Sequence, residues 1–460
     1  MLAYGLLSLL HILSKLKSKI KTMSTRRDFL YQAAVMGAGA AVMPQSLYGM
    51  GQRVAPSDRI RVGLIGCNGM GWSDLNAFLE NPEVECIAMC DVDDQPLNKR
   101  MADVEKKTGK KPGNQYKDWR KLIDNKDIDV VIVGTPDHWH CLQMVSACEA
   151  GKDVYCEKPF GNSIEECNLM VKAAQRYNRV VQVGQWQRSD PHWQDAVAFV
   201  QSGKLGKIRT VRVFAYLNWC PSLPIKSDES VPQGVDYDMW LGPAPKRAFN
   251  PNRFHFNFRW FWDYAGGLMT DWGVHLLDYA LYAMNVQTPQ SVMASGGKFG
   301  YPDDACETPD LLQTLYTFDG FTVLWDHAIG VGDGFYGREH GIGFVGENGT
   351  LVLDRQGWEV FPEIVKGVAR MEAVPLSKRY GGGGLKLHVK NHLDCIKKRD
   401  RNTHASAEIG AHIAKFSQLG NIAYRTGKKL VWDGTKFTND KEANNYLVPN
   451  YRSPWKLPKV

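Results

Sequence analysis

The chain has 460 residues, with 56 Lys and Arg against 49 Asp and Glu, which gives a formal net charge of +7. Hydrophobic residues make up 44% and charged residues 23%, the balance of an ordinary globular protein. This composition excludes a disordered chain, a collagen and a polytopic membrane protein. Because domains run to roughly 100–200 residues, two or three domains are expected.

The basic excess is concentrated in the first fifty residues, which hold six Lys or Arg and one acid. Residues 24–30 read STRRDFL and precede an apolar stretch rich in Ala and Gly, a pattern that resembles a twin-arginine export signal. We therefore expect residues 1–50 to be a targeting segment. Such a signal normally begins at a residue placed like Met23, so residues 1–22 are expected to come from a start assigned too far upstream. The rival interpretation is a buried N-terminal helix. The rest of the chain is nearly neutral, so nucleic acid is not an expected partner.

Export predicts a periplasmic or otherwise extracytoplasmic protein, anchored at its N-terminus if the signal is not cleaved. No integral membrane domain is expected beyond that signal. The ten cysteines contain no C-x-x-C pair and show no zinc spacing, so we interpret them as free thiols that behave as small hydrophobic residues.

A glycine-rich turn follows the first predicted strand, residues 59–65. The turn reads GCNGMG, and a helical pattern continues from it to residue 79. In a dinucleotide site, glycines let the backbone approach the pyrophosphate, and the helix N-terminus directs N–H donors at it. Asn68 stands where the second glycine of G-x-G-x-x-G is expected, and Asn tolerates left-handed backbone angles better than most residues. The turn predicts cofactor contacts from Gly66, Asn68, Gly69, Met70 and Gly71.

The next predicted strand, residues 84–90, is followed by Asp91, twenty residues after the last glycine of the turn. At this offset a carboxylate binds the adenosine ribose hydroxyls of a dinucleotide. Asp93 and Asp94 add negative charge that would repel a 2′-phosphate, so the predicted cofactor is NAD in preference to NADP. The alternative for Asp91 is an ordinary turn residue at the end of a strand.

Three further apolar runs alternate with helical patterns, at residues 129–134, 153–156 and 180–184. Such alternation predicts a parallel sheet with right-handed crossovers, whose carboxyl-end loops meet where ligands bind. Arg188, beyond the last of these loops, is predicted to contact the substrate. The loops supply the remaining predicted cofactor contacts: Thr135, Pro136, His138, His140, Glu157, Lys158 and Gln185.

Motifs on three of these loops carry a family resemblance. They are G-x-x-G-x-G at residues 66–71, T-P-x-x-x-H at 135–140 and E-K-P at 157–159. Together they resemble the glucose–fructose oxidoreductase, inositol dehydrogenase and MocA family over roughly residues 59–456. The resemblance implies an α/β fold in which an N-terminal Rossmann dinucleotide-binding domain precedes an α+β domain with a large, mostly antiparallel open sheet. It also implies that Lys158 lies near the nicotinamide and the reacting hydroxyl.

A later helical pattern enters through two glycines and carries Asp271, His275 and Asp278 at i, i+4 and i+7, on one face. The family has a D-x-x-x-H pair here, which Asp271 and His275 match. With Lys158 they are the predicted catalytic residues, because a histidine can exchange the hydroxyl proton while an ammonium and a carboxylate orient the hydroxyl. The alternatives are a capped core helix and an Asp–His metal chelate. No third ligand has suitable spacing, so no metal is predicted.

Residues 237–264 are dense in aromatic side chains, with Arg and His between them. Aromatic and basic residues together can bind single-stranded nucleic acid, but the near-neutral chain argues against that partner. We expect most of these rings to be core and some to stack on a sugar. The predicted substrate contacts are Arg259, Trp260 and Tyr264, together with Lys158, Arg188, Asp271 and His275.

Alternating apolar runs after residue 290 predict a largely antiparallel sheet, and helical patterns lie around 386–398 and 407–426. The family uses one exposed sheet face between subunits, so a homodimer or homotetramer is expected. The predicted organisation is a signal at 1–50, a Rossmann domain at 51–184, a substrate and oligomerisation domain at 185–440 and a tail at 441–460.

The sequence thus predicts an exported, NAD-dependent oxidoreductase that acts on a CH–OH group of a sugar, glycoside or polyol. Because free NAD is scarce outside the cytoplasm, the cofactor is expected to be tightly bound. Two other functions stay open. One is a glycoside hydrolase or lyase that works by transient oxidation, and the other is a non-catalytic sugar-binding protein on the same scaffold.

Overall fold

Two β-sheets organise the molecule. The computed structural model describes residues 59–220 and 222–460, so the predicted export signal lies outside the described residues. One sheet has six strands and the other has nine. The predicted fold class, a Rossmann domain followed by an α+β domain with a large and mostly antiparallel sheet, is confirmed.

The six-stranded sheet has the strand order β3-β2-β1-β4-β5-β6, and each of its pairings is parallel. Alternate residues of its strands enter two separate hydrophobic cores, because helices cover both faces of a parallel sheet. Its strands are β1 (Ile60–Ile65), β2 (Val84–Cys90), β3 (Asn114–Tyr116), β4 (Val130–Val133), β5 (Asp153–Cys156) and β6 (Val181–Val183). The helices of this region are α1 (Gly69–Phe78), α2 (Asp94–Thr108), α3 (Trp119–Asp124), α4 (His140–Glu149), α5 (Ile164–Arg176) and α6 (Pro191–Gln201).

The nine-stranded sheet has the order β16-β13-β12-β11-β7-β10-β9-β8-β17, and only the pairing of β7 with β10 is parallel among its described strands. Its strands are β7 (Ile208–Leu217), β8 (Ser291–Gly297), β9 (Leu311–Thr317), β10 (Thr322–Ile329), β11 (His340–Gly346), β12 (Gly349–Leu353), β13 (Gly357–Pro362), β16 (Val374–Lys378) and β17 (Leu430–Val431). A separate two-stranded hairpin is formed by β14 (Ile364–Val365) and β15 (Val368–Ala369).

Five helices belong to the second half of the chain, and two of them return to the first sheet. The helices are α7 (Tyr237–Leu241), α8 (Gly267–Asp271), α9 (Gly273–Met284), α10 (Gly384–Lys398) and α11 (Ala407–Thr426). Strand β6 is held from that side, since Val183 N donates to Ala405 O over 2.8 Å and Thr403 Oγ1 donates to Val181 O over 2.9 Å. Residues near 384–426 therefore complete the first domain, and the proposed boundary after residue 184 stays a prediction.

Two general features follow from the described residues. None of their helices is both long enough and apolar enough to cross a bilayer. All ten cysteines are free, and each except the partly buried Cys306 lies in the interior, where a thiol packs as a small hydrophobic group.

Candidate active site

The glycine turn between β1 and α1 forms one wall of a cavity of about 390 Å³. The backbone is crowded here, because a Cβ added to Gly71 would lie 2.0 Å from the carbonyl oxygen of Gly66. A Cβ on Gly134, at the end of β4, would lie 2.4 Å from the Cα of Gly71. Helix α1 can begin this close to two strands only because these positions have no side chain.

Asn68 does not adopt the left-handed conformation that its place in the motif allowed. Its φ is −100°, in the extended region, and its side chain makes no capping hydrogen bond to α1. The left-handed residues of the turn are Gly66, with φ of 86°, and Gly69, with φ of 50°. The turn is therefore made by the glycines on either side of Asn68. The first N–H groups of α1 are left without a side-chain cap, as an anion site requires.

Asp91 connects the end of β2 to the glycine turn. Its carboxylate accepts hydrogen bonds from the backbone N–H groups of Cys67, over 2.7 Å, and Asp93, over 3.0 Å. Burial raises the pKa of Asp91, while these two N–H groups act in the opposite direction. Asp91 lines the cavity, as its predicted role in binding a ribose requires, and it also fixes the conformation of the turn.

Aromatic rings close the same end of the cavity. Trp119 and Trp139 line it, and their ring centroids lie 5.9 Å apart in an edge-to-face arrangement. Behind them, the C-terminal Trp455 packs on Trp139 at 4.9 Å and on Trp119 at 6.4 Å. Trp240 of α7 adds a further ring to the lining. The tail of the chain thus supports the wall of a pocket in the first domain.

Lys158, Asp271 and Arg259 meet at the other end of the cavity. Lys158 Nζ lies 2.6 Å from Asp271 Oδ1, and Arg259 Nε lies 3.1 Å from the same oxygen. Burial alone would raise the pKa of Asp271, but the charges of Lys158 and Arg259 hold it well below its usual range. Asp271 is therefore ionised at neutral pH, and two cations share one carboxylate.

The predicted continuous helix through Asp271 and His275 is interrupted, which corrects that expectation. Helix α8 ends at Asp271 and α9 begins at Gly273. In an unbroken α-helix the N–H of His275 would donate to the carbonyl of Asp271. Here it donates to Trp272 O over 3.0 Å, and Lys158 Nζ donates to Asp271 O over 3.0 Å. The ammonium thus donates to the carbonyl that has no hydrogen-bond donor within the helix.

His275 is buried near this charged group and is not among the residues that line the cavity. Burial, followed by the charges of Lys158 and Arg355, lowers the pKa of His275 well below that of a free histidine. Its Nδ1 has no hydrogen-bond partner among the described residues, and its ring lies 6.4 Å from that of Trp186. His275 is therefore neutral at physiological pH and able to accept a proton.

Four of the predicted cofactor contacts, Gly71, His138, His140 and Gln185, lie outside the lining of the cavity. The ring nitrogens of His140 lie 2.7 Å from Pro159 O and 2.8 Å from Thr135 O, so this side chain joins two site loops. His138 is buried, with its Nε2 3.1 Å from Trp240 O. Gln185 Nε2 reaches a backbone carbonyl of α9 over 3.3 Å. Among the other predicted contacts, Gly66, Asn68, Gly69, Met70, Asp91, Thr135, Pro136, Glu157 and Lys158 line the cavity.

Three of the predicted substrate contacts have side chains that contact other parts of the protein, away from the cavity. Arg188 forms a two-pronged ion pair with Asp278, with its Nε 2.9 Å from both carboxylate oxygens. Trp260 and Tyr264 are buried in the core, and the ring of Tyr264 packs on Trp240 at 4.9 Å. Of the predicted substrate contacts in residues 237–264, only Arg259 lines the cavity.

The cavity residues fit a dinucleotide. The crowded glycines and the uncapped N-terminus of α1 form a cradle that excludes side chains, and α1 has no acid in its first turn. Asp91 stands at the far end of the turn, where a ribose would lie. In the described part of the chain, no group of three or more His, Cys, Asp or Glu is arranged to hold a metal ion.

Several residues of the site were missed in the sequence. Trp119 and Trp455 have no local signature, since only the packing of distant segments brings them together. Arg355, in the turn after β12, donates from Nε and Nη2 to Gln187 Oε1 over 3.2 and 3.1 Å. Nothing in the sequence around Arg355 indicates that this turn reaches the neighbourhood of His275.

Comparison with known families gives two adjoining matches. Residues 60–185 match the oxidoreductase family with an NAD-binding Rossmann fold, and residues 172–330 match the C-terminal alpha/beta domain of the oxidoreductase family. A curated relative, glycosyl hydrolase family 109 protein 1 of Shewanella sp. strain ANA-3, is 31% identical over 170 residues, 33% of this chain and 37% of that protein. The chain thus matches little more than a third of the length of such relatives.

Solved structures share the fold. Levoglucosan dehydrogenase, in complex with NADH and levoglucosan, has a TM-score of 0.60 at 20% identity, covering 81% of this chain and 99% of that one. Aldose-aldose oxidoreductase from Caulobacter crescentus, complexed with glycerol, has a TM-score of 0.61 at 20% identity, covering 81% and 100%.

Proposed function

This chain belongs to the Gfo/Idh/MocA family of NAD-binding oxidoreductases, and on that premise we propose that it moves a hydride between tightly bound NAD and a hydroxyl or keto group of a sugar, glycoside or polyol. The observation that carries the proposal is the ion pair of Lys158 and Asp271 at the wall of the dinucleotide cavity, 2.6 Å between Nζ and Oδ1. An ammonium at this wall would lie beside both the bound cofactor and the reacting hydroxyl.

The side chains divide the work of alcohol oxidation between them. Lys158 uses two of its three N–H bonds on Asp271, so the third is free to donate to the substrate oxygen and stabilise negative charge on it. Neutral His275 accepts the hydroxyl proton, and in the reverse direction it returns that proton. The chemistry that NAD supplies when bound is uptake or return of the hydride. Asp271 and Arg259 hold the ammonium in place.

Replacing the ammonium tests this proposal. Lys158→Ala should lower turnover of a panel of sugars and glycosides by about a thousandfold, a loss within the range of general acid–base groups. Nucleotide content by mass spectrometry should stay unchanged, because the glycine cradle does not involve this side chain. Lys106→Ala, at an exposed position of α2, is the matched control. Unchanged turnover in Lys158→Ala would refute the assignment.

A second function is favoured by the glycosyl hydrolase family 109 relative. Transient oxidation of a ring hydroxyl acidifies the neighbouring C–H, so that a glycosidic group can be eliminated before the carbonyl is reduced again. Neutral His275 could take up that C–H proton. Release of p-nitrophenol from p-nitrophenyl glycosides without added NAD, and with no net NADH, would select this reaction. Accumulation of bound NADH with intact glycoside would select simple oxidation.

Export and assembly complete the proposal. The arginine pair at residues 26 and 27 would direct the folded, NAD-loaded protein through the twin-arginine route, and an Arg26→Lys, Arg27→Lys variant retained in the cytoplasm would support this. A homo-oligomer would use the nine-stranded sheet, where Met293, Phe361 and Leu376 are 45%, 46% and 40% exposed. Light scattering that gives the mass of a monomer would refute the oligomer.

A further inference from the structure

Arg355 differs from the other arginines around the site. Arg188, Arg259 and Arg379 each form an ion pair, with Asp278, Asp271 and Asp190 respectively. Arg338 is likewise paired, with Asp354 and Glu359. In residues 59–220 and 222–460, no carboxylate lies within ion-pairing distance of Arg355. A partly buried guanidinium without an anion is costly, so its position requires a reason.

The surroundings of Arg355 hold it in one orientation. Its guanidinium lies 4.3 Å from the ring centroid of Trp272 and 5.1 Å from that of Trp186. Nε and Nη2 both donate to Gln187 Oε1. The neighbouring acid, Asp354, is turned away, because its carboxylate accepts from the N–H groups of Gln356 and Gly357 and pairs with Arg338.

One edge of the guanidinium is left without a partner. Gln187 takes one N–H of Nε and one of Nη2, so Nη1 and the second N–H of Nη2 make no hydrogen bond to the described residues. The N–H groups of Nη1 and Nη2 form a planar fork that can donate to both oxygens of a carboxylate. The geometry is that of an arginine prepared for a ligand that the chain itself does not supply.

Arg355 is not among the residues that line the cavity, but its neighbours connect it to the reaction centre. Trp272 directly follows Asp271, and Trp186 lies beside His275. Gln187, which holds Arg355, also reaches His275 O over 3.5 Å. The charge of Arg355 is one of the causes that lower the pKa of His275. Lys158 and Arg259 pair with the ionised carboxylate of Asp271, whereas Arg355 has no carboxylate of its own.

We propose that Arg355 is a substrate-binding residue that pairs with a carboxylate of the sugar, so that the preferred substrates are sugar acids such as uronates. This inference rests on the proposed carbohydrate function and deepens it. A single planar fork between two indole rings suits a planar carboxylate. A phosphate, with three oxygens arranged tetrahedrally, usually takes donors from several residues, and here Arg355 presents only one free edge.

Calorimetric titration of the purified holoprotein tests the inference without relying on turnover. The probes are D-glucuronate against D-glucose, D-galacturonate against D-galactose, and D-glucose 6-phosphate. A charge-assisted pair should make each uronate bind at least about tenfold more tightly than its neutral counterpart. The ratio should fall towards one in Arg355→Gln and stay intermediate in Arg355→Lys, which keeps the charge but loses the fork. Steady-state kinetics should place this change in KM.

A matched control is Arg212→Gln, an exposed arginine of β7 that should leave the ratio unchanged. Equal binding of uronate and neutral sugar by the unmodified protein, or a ratio unaffected in both Arg355 variants, would overturn the inference while the oxidoreductase function stands. Preferential binding of the 6-phosphate that depends on Arg355 would overturn it in favour of a phosphate subsite. Failure of every sugar to bind or turn over would overturn both proposals.

Discussion

The two ends of the cavity are built from different materials. At the turn after β1, glycine backbone, the N–H groups of α1 and tryptophan rings form the surface. At the end of β5 and the start of α9, charged side chains do so, with Lys158 and Arg259 on one carboxylate of Asp271. The shape of the first end depends on how closely backbone segments approach each other. The second depends on which charges are present and which are balanced.

The two ends of the cavity are sensitive to different kinds of substitution. A backbone-shaped surface has no spare volume, so an added methyl group displaces whole elements. A charged surface tolerates small changes of volume but responds to the removal of one charge, because every neighbouring pKa then moves. Substitutions that separate these two kinds of sensitivity test the comparison.

The largest effect is expected from Gly71→Ala. The new Cβ would lie 2.0 Å from Gly66 O, so the start of α1 must move away from the strand. A misplacement of about 1 Å can lower a reaction rate on the order of a hundredfold, and we expect a loss of similar size in binding. Affinity for NAD, measured by calorimetry on protein stripped of nucleotide, should fall by about that factor.

Gly113→Ala is the matched control, because a Cβ there meets only Ile87 O at 4.0 Å. It should leave the affinity for NAD unchanged. If Gly71→Ala keeps the affinity of the unmodified protein, the glycine cradle is not the site of the pyrophosphate, and the contrast between the two ends fails.

The second prediction concerns pH. A histidine with a depressed pKa stays neutral until the pH falls well below 6.5, so the rate of alcohol oxidation should be flat from pH 8 to 6.5 and fall only at lower pH. Removal of a nearby cation raises the pKa of a histidine. Arg355→Gln should therefore move the acid limb of the kcat profile towards neutrality by up to about one unit.

The variant His275→Asn distinguishes the titration of His275 from the titration of nearby carboxyl groups. Burial raises the pKa of Asp137, which lines the cavity, to about 7. A limb near pH 7 that persists in the residual activity of His275→Asn would belong to such a carboxyl group. That result would remove His275 from the role of base.

The smallest effect is expected from Trp455→Ala at the backbone-shaped end. Loss of ring contacts to Trp119 and Trp139 should loosen the cavity wall and weaken NAD binding by roughly two- to tenfold, the value of an aromatic pair. Phe299→Ala, at a position 69% exposed, is the control. A Trp455→Ala protein that releases NAD no faster than the control would show that the tail is dispensable for binding.

Elements with a strong local pattern were predicted well. Strand β2 and helix α11 have the predicted bounds, because each is a continuous pattern limited by turn residues. Strand β7 was missed, although it lies at the centre of the large sheet, since its neighbours β10 and β11 come more than a hundred residues later. The interruption after Asp271 was missed as well, because the ammonium that donates to the free carbonyl of Asp271 belongs to Lys158, which lies 113 residues away in the chain.

By itself the sequence indicated the dinucleotide turn and the alternation that makes a parallel sheet, because both are local patterns of residue type and spacing. The roles predicted for Lys158, Asp271 and His275 came from the family resemblance and stay predictions. Tertiary structure decided which side chains are free. It paired Arg188 with Asp278, buried Tyr264, and left Arg355 without a carboxylate. The balance of charge at a site depends on the three-dimensional distances between segments that are far apart in the chain. The spacing of residues along the sequence does not give those distances.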